Sequence, residues 1–142
     1  MTPISEFSLV APGIWRSGHF TEAAQWEYFA GLGGKRAIKL DTLAEDNDSL
    51  AAAFGIEVLY HPISTLQQIL LGPNDKDFRQ AVSEIIPGTI VHCKNGWDRT
   101  GLAIGCFRLW QQKWSKNPAR AEMDAHGYHE MLLGLTVYWM RQ

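Results

Sequence analysis

The stretch GTIVHCKNGWDRTGLAIGCFRLW, residues 88–110, constrains this chain more than any other. Its opening, GTIVHC, is short, β-branched and apolar, the composition of a central strand buried on both faces. From Gly101 to Lys113 the apolar residues return at helical spacing, with Leu102, Ala103, Cys106, Phe107 and Trp110 on one side. The ten residues HCKNGWDRTG therefore occupy a strand–loop–helix junction. Such a junction gathers loop N–H groups into a concave nest, and the following helix adds the positive end of its dipole. Cys93 opens this loop, where the field favours a thiolate. Arg99 closes it with a planar fork that can hold two oxygens of a phosphoryl group. Gly96 lets the loop bend and lets backbone approach an oxyanion. Thr100 can hydrogen-bond the sulfur and steady it as a leaving group, and His92 is expected to position the cysteine. Adjacent strand residues point to opposite faces, so His92 and Cys93 make a poor metal pair, and no metal or cofactor is expected.

The flanking chain reads as α/β. FSLV and GIWRS are short strands joined at Pro12-Gly13, RAIKL is the next strand, and IEVLYHPI follows Gly55. Thr21 is the expected cap of a helix through EAAQWEYFAGL, stopped at Gly33-Gly34. The acidic segment DTLAEDNDS leads into a short helix at LAAAF. Pro73-Asn74 opens a helix over 75–86, with Phe78, Val82, Ile85 and Ile86 as its apolar face. Ser115 caps KNPARAEMDAH, which stops at Gly127, and Met131, Leu132, Leu135, Tyr138 and Trp139 supply the core stripe of a last helix. Alternating strands and helices predict one α/β domain over 1–142, with a largely parallel central sheet of four or five strands flanked by helices.

With 142 residues and a net charge of −2, the chain suits one core and does not suit a general nucleic-acid binder. Yet Lys94, Arg99, Arg108, Lys113, Lys116 and Arg120 cluster between His92 and Arg120, where Asp98 is the only acid. That cluster can favour an anionic substrate, or its later members can simply solvate helix faces. Two cysteines thirteen positions apart make no disulfide framework, and Cys106 has core-like spacing, with a redox partnership to Cys93 the alternative. No run is apolar enough to span a bilayer. MTPISEFSLV lacks the marks of a signal peptide, so a cytoplasmic location is the default expectation, and a periplasmic or secreted one if a leader has been removed. Oligomeric state stays open.

HCKNGWDRTG matches His-Cys-x5-Arg-Thr/Ser-Gly, and with it the chain resembles the cysteine-dependent protein tyrosine phosphatase superfamily. GIWRSGH, RAIKLDT, GIEVLYHPI, WSKNPARAEM and GYH look like further landmarks of small bacterial dual-specificity-type phosphatases, so the resemblance spans nearly the whole chain. It implies a compact tyrosine-phosphatase-type fold and a metal-independent phosphatase. Cys93 would attack phosphorus while Arg99 and the loop from Lys94 through Asn95, Gly96 and Trp97 to Gly101 hold the oxygens, and a phosphocysteine would form.

Many such enzymes carry an aspartate acid on the loop after the strand corresponding to GIEVLYHPI. Here Ser64, Thr65 and Gln67 stand there, and Asp75 and Asp77 read as first-turn helix residues. Asp98 is the preferred substitute, since GWDRT is similar to myotubularin-type loops where this aspartate is the proposed acid. Its alternative role is to pair with a basic neighbour and hold the loop. Lys94 beside the cysteine resembles members acting on inositol phosphates, and Trp97 is either an apolar wall or packing. Arg16 either reaches the site edge or forms a structural ion pair. The favoured substrate is a small phosphorylated anion of the inositol polyphosphate (phytase-like) class. A protein tyrosine or dual-specificity phosphatase is the alternative, and a phosphate-binding module with weak catalysis is a third reading.

Overall fold

The computed structural model describes residues 2–43, 45 and 48–142, so positions 44, 46 and 47 of the acidic segment lie outside the described residues. Among the described residues five four-residue strands form one sheet: β1 (Ser8–Ala11), β2 (Ile14–Ser17), β3 (Arg36–Lys39), β4 (Glu57–Tyr60) and β5 (Thr89–His92). Their order is β1-β2-β5-β3-β4, with β5 in the middle. Only the β1–β2 hairpin is antiparallel; the other pairings are parallel. Five α-helices accompany the sheet: α1 (Ala23–Gly31), α2 (Asp75–Ser83), α3 (Arg99–Trp110), α4 (Lys116–Ala125) and α5 (Leu133–Met140).

Successive residues of β5 face opposite sides, as strand geometry requires. Ile90 joins Trp26, Phe29 and Ala37 under α1, while Val91 joins Ile14, Ile38, Leu102 and Phe107 under α3. Both sides are covered, which is why the middle of β5, Ile90 and Val91, is apolar and β-branched.

Register then fixes where function can sit. Ser17 pairs with His92, His92 with Lys39 and Lys39 with Tyr60, so four strands end level. Ligands of open α/β sheets bind beyond the carboxyl ends of the strands. The loop after β5 leaves the sheet on this line, beside the segments that follow β2 and β3.

Several boundaries differ from expectation. Thr21 is not the cap of α1; Glu22 occupies that position, and Gln25 Oε1 accepts from the N–H of Thr21 at 2.6 Å. LAAAF makes one 3-10 turn, Ala51–Phe54, closed by Gly55 at φ 73°. Four residues are too few for an α-helix to recover its nucleation cost. α2 stops at Ser83, three residues early. α3 spans Arg99–Trp110, so the arginine belongs to its first turn. Met131 and Leu132 precede α5, and Met131 is exposed; Leu135, Tyr138 and Trp139 carry the core stripe.

Candidate active site

The loop 93–98 is held from outside by β2 and the segment that follows it. His19 donates from its backbone N–H at 3.1 Å and from Nδ1 at 2.8 Å to the Lys94 carbonyl. Arg16 donates from one terminal guanidinium nitrogen to the Gly96 carbonyl at 3.1 Å. In a trans peptide the C=O and the next N–H point opposite ways. Tying back the carbonyls of Lys94 and Gly96 therefore turns the N–H groups of Asn95 and Trp97 away from those donors. Among the described residues, no backbone N–H from Lys94 to Asp98 donates to a protein carbonyl. A row of uncommitted amides in a bent loop is an anion nest. Gly96 is required at the bend: its φ is +78°, and a Cβ there would lie 2.7 Å from the Gly18 nitrogen.

Cys93 lies at the base of the loop, 2% exposed, and Thr100 donates its hydroxyl to the sulfur at 3.0 Å. Arg99 is buried and points its fork at Glu45, with terminal nitrogens 2.9 and 2.8 Å from the two carboxylate oxygens. One of those nitrogens also donates to the Ile63 carbonyl at 2.9 Å. The Arg99 Nε–H is buried and has no protein partner. A buried donor of this kind calls for an acceptor, and a phosphoryl oxygen supplies one. The bond to Arg99 holds the Glu45 carboxyl down, from an ordinary 4.5 to about 2, against the opposing effect of burial.

Linkage gives that pair a pH signature. A carboxyl whose folded-state pKa lies below its unfolded one contributes stability in full above the unfolded value and loses it as pH falls through the folded one. The Tm advantage of wild type over Glu45→Gln should therefore be complete near pH 6 and close as pH falls from about 4.5 towards 2. Thermal melts across that range check it; a constant advantage would show that the pair's charge is not involved.

His92 is fully buried at the end of β5. A carboxylate can only accept, so His92 Nε2–H donates to Asp48 Oδ2, at 2.7 Å, and the ring edges onto Phe20 and Trp26. Lys39, also buried, reaches Asp41 at 2.6 Å. Lys39 and His92 at the sheet end thus hold the acidic segment at Asp41 and Asp48, and Arg99 holds it at Glu45.

Asp98 meets His129. Its Oδ1 accepts from the His129 backbone N–H at 2.6 Å, and the His129 Nδ1–H reaches both carboxylate oxygens, at 3.0 and 3.1 Å. Of the two roles considered for Asp98, this geometry is the pairing with a basic neighbour. Trp97 packs over Gly127 and lies 5.7 Å from the His129 ring, as a wall of the same corner. Lys94 and Asn95 are exposed, and Gly101 is buried in the first turn of α3.

Ser64, Thr65 and Gln67 fold into a helical turn that continues as a π turn over Gln67–Leu71. Ser64 and Gln67 cap each other, the serine N–H donating to Gln67 Oε1 at 2.8 Å and the glutamine N–H to Ser64 Oγ at 3.2 Å. Gly134 backs this turn so closely that no larger residue fits against the Gln67 carbonyl. Asp75 accepts from the Tyr138 hydroxyl at 2.7 Å and from Arg79, and Asp77 binds His61 at 2.9 Å, so both are committed within the α2 surroundings.

The basic cluster is mostly structural. Arg108 pairs with Glu122 at 2.8 Å and stacks on Trp114, Arg120 pairs with Asp124, and Lys116 lies over Trp139. Lys113 donates to the carbonyl of Trp110. Of the six, Lys94 lies on the loop and Arg99 at its junction with α3. Arg16 neither reaches an exposed edge nor pairs with a carboxylate among the described residues; it is buried behind the loop. Cys106 is sealed in the core, where burial pushes its thiol up, an environment that disfavours redox exchange.

Comparison with known proteins bears on the family and the fold. A sequence model of the tyrosine phosphatase family matches residues 1–129. Inositol diphosphatase DSP4 of Arabidopsis thaliana is 30% identical over 116 residues, covering 78% of this chain and 58% of that protein. Inositol diphosphatase DSP2 of Oryza sativa subsp. japonica is 28% identical over 120 residues, covering 80% and 58% respectively. The chain thus spans less than two thirds of these relatives. The core catalytic domain of the PP-IP phosphatase SIW14 from S. cerevisiae superposes with a TM-score of 0.77 at 21% identity, covering 98% of this chain and 86% of that one. TpbA of P. aeruginosa superposes at 0.78 and 20% identity, covering 97% and 85%. At such identities the structural likeness shows the fold.

Proposed function

The chain belongs to the tyrosine phosphatase family, whose members are cysteine-dependent, metal-independent phosphatases, and from that premise we propose that it cleaves phosphate from inositol phosphates, with a diphosphate group as the preferred target. The observation that carries this reading is the state of the carboxyl groups around the loop. Segment 64–72 holds none, Asp98 is engaged by His129, Glu45 by Arg99, and Asp75 and Asp77 by their own helix and its neighbours. A sugar or inositol hydroxyl leaves as a strongly basic oxyanion and needs a proton from a general acid, which typically contributes 10²–10⁴-fold. The leaving group of a diphosphate is itself a phosphate, stable as an anion, and needs far less help. The names of the two plant relatives point the same way.

In this reading the Cys93 sulfur attacks the terminal phosphorus in line, the P–O bond of the anhydride breaks, and the inositol phosphate departs. The Arg99 Nε–H and the loop amides take up charge on the equatorial oxygens. Water then attacks the phosphocysteine, and Thr100 steadies the returning thiolate through its hydroxyl. Lys94, exposed on the loop, would meet a further phosphate of a polyphosphorylated ring in this reading.

The test is a comparison of kcat/KM for a diphosphoinositol pentakisphosphate, inositol hexakisphosphate, a phosphatidylinositol phosphate, a phosphotyrosine peptide and p-nitrophenyl phosphate. The diphosphate should exceed the hexakisphosphate by roughly 10²-fold or more. A preference for the peptide would make the chain a protein phosphatase, and equal rates on both inositol substrates would remove the argument from the leaving group.

A further inference from the structure

Arg16 is the least compensated charge in the described structure. It lies in β2 and is 2% exposed. One terminal nitrogen donates to the Gly96 carbonyl at 3.1 Å, while Nε and the other terminal nitrogen are buried without partners. Among the described residues no carboxylate lies within ion-pairing distance. Glu122, the nearest in influence, gives both its oxygens to Arg108. Every other buried guanidinium here has a carboxylate: Arg99 has Glu45, and Arg108 has Glu122.

A buried charge without a counter-charge is strongly destabilising. An arginine held there by packing alone would be poorly explained, since an apolar residue of similar volume is commonly neutral or stabilising at such a site. What Arg16 has instead is position. It sits directly behind the loop whose amides and Arg99 receive the anion, its terminal nitrogen 3.9 Å from where a Cβ on Gly101 would stand.

We propose that Arg16 is a positioning residue whose counter-charge is the phosphoryl oxyanion that the 93–98 loop and Arg99 receive when phosphate or substrate is bound. It acts through the loop, touching no substrate atom. The Gly96 carbonyl relays its hydrogen bond, and its charge acts across the loop on whatever anion the amides hold. Burial lowers the guanidinium's own pKa, and Glu122 first and Cys93 second oppose that lowering. The charged and titratable groups that face it are Glu6, Cys93, Arg108, Glu122 and His126, and Cys93 also faces Arg99 and the Thr100 hydroxyl.

Two variants separate charge from hydrogen bonding. Arg16→Lys keeps the cation; Arg16→Gln keeps an N–H for the Gly96 carbonyl and removes the charge. Orthophosphate is titrated as a competitive inhibitor of p-nitrophenyl phosphate hydrolysis, and melts are recorded with and without phosphate. This substrate is an activated monoester, so the result does not depend on the inositol reading, though it does rest on the loop being the oxyanion site. The expected result is a phosphate inhibition constant raised roughly 10-fold or more in Arg16→Gln and within about threefold of wild type in Arg16→Lys. The Tm of the unliganded Gln variant should equal or exceed that of wild type, while its rise with phosphate shrinks. Unchanged inhibition in the Gln variant, equal losses in both variants, or failure of both to fold would each make Arg16 a structural strut and overturn the proposal. A wild type that phosphate does not inhibit would overturn the reading of the loop itself, and this assignment with it.

Discussion

Cys93→Ser should lower kcat on p-nitrophenyl phosphate by on the order of 10⁴-fold or more while leaving phosphate binding in place. The asymmetry follows from the division of labour in the loop. The sulfur at the base of the loop is the nucleophile of this reading, and a serine hydroxyl at neutral pH has no adjacent base: Thr100 donates to this position and cannot take its proton. Arg99, the loop amides and the carbonyl ties at Lys94 and Gly96 do not involve the sulfur and remain. Titration of phosphate against the serine variant, followed by its effect on Tm, should give wild-type affinity within a few-fold. Acid quench of wild type during turnover should give a phosphoryl adduct on Cys93 that the variant lacks. Substantial turnover by Cys93→Ser would mean that the nucleophile lies elsewhere.

Arg99→Lys should cost on the order of 10³-fold in kcat with a smaller change in KM, although charge is conserved. The guanidinium uses three faces at once: two nitrogens on Glu45, one of them shared with the Ile63 carbonyl, and Nε left for the anion. An ammonium is a point charge with no such fork, and it cannot keep the carboxylate and the carbonyl while also presenting a fixed donor to phosphorus-bound oxygens. Because those oxygens gain charge in the transition state, the loss falls mainly on kcat. Steady-state kinetics on p-nitrophenyl phosphate checks this; a rise in KM at constant kcat would mean that Arg99 only binds substrate.

Cys93, Arg99 and Thr100 were legible because they share one strand–loop–helix junction, where spacing along the chain is also spacing in space. The same holds for the sheet, whose buried central strand announces itself by composition. What the sequence concealed are the partners that converge from afar. Glu45 is 54 positions from Arg99, His129 is 31 from Asp98, His19 is 75 from Lys94 and Arg16 is 80 from Gly96. No periodicity or cap links such pairs. The acidic segment hid Glu45 among four acids with no local mark of which one faces the arginine. The charge cluster from Arg108 to Arg120 misled for the complementary reason: counting cations along a chain omits the carboxylates, carbonyls and rings that fold back onto them.

The ties from His19 and Arg16 to the loop carbonyls also bear on how far the ten-residue signature can travel. Grafted onto another strand–helix junction, HCKNGWDRTG would carry its nucleophile, its hydroxyl and its clamp. The donors that turn its peptide planes would stay behind, on a hairpin at the other end of the chain. Its amides would then be free to rotate, and each binding event would have to orient them anew. The signature is a necessary text, but the instruction for aiming it is written eighty residues earlier.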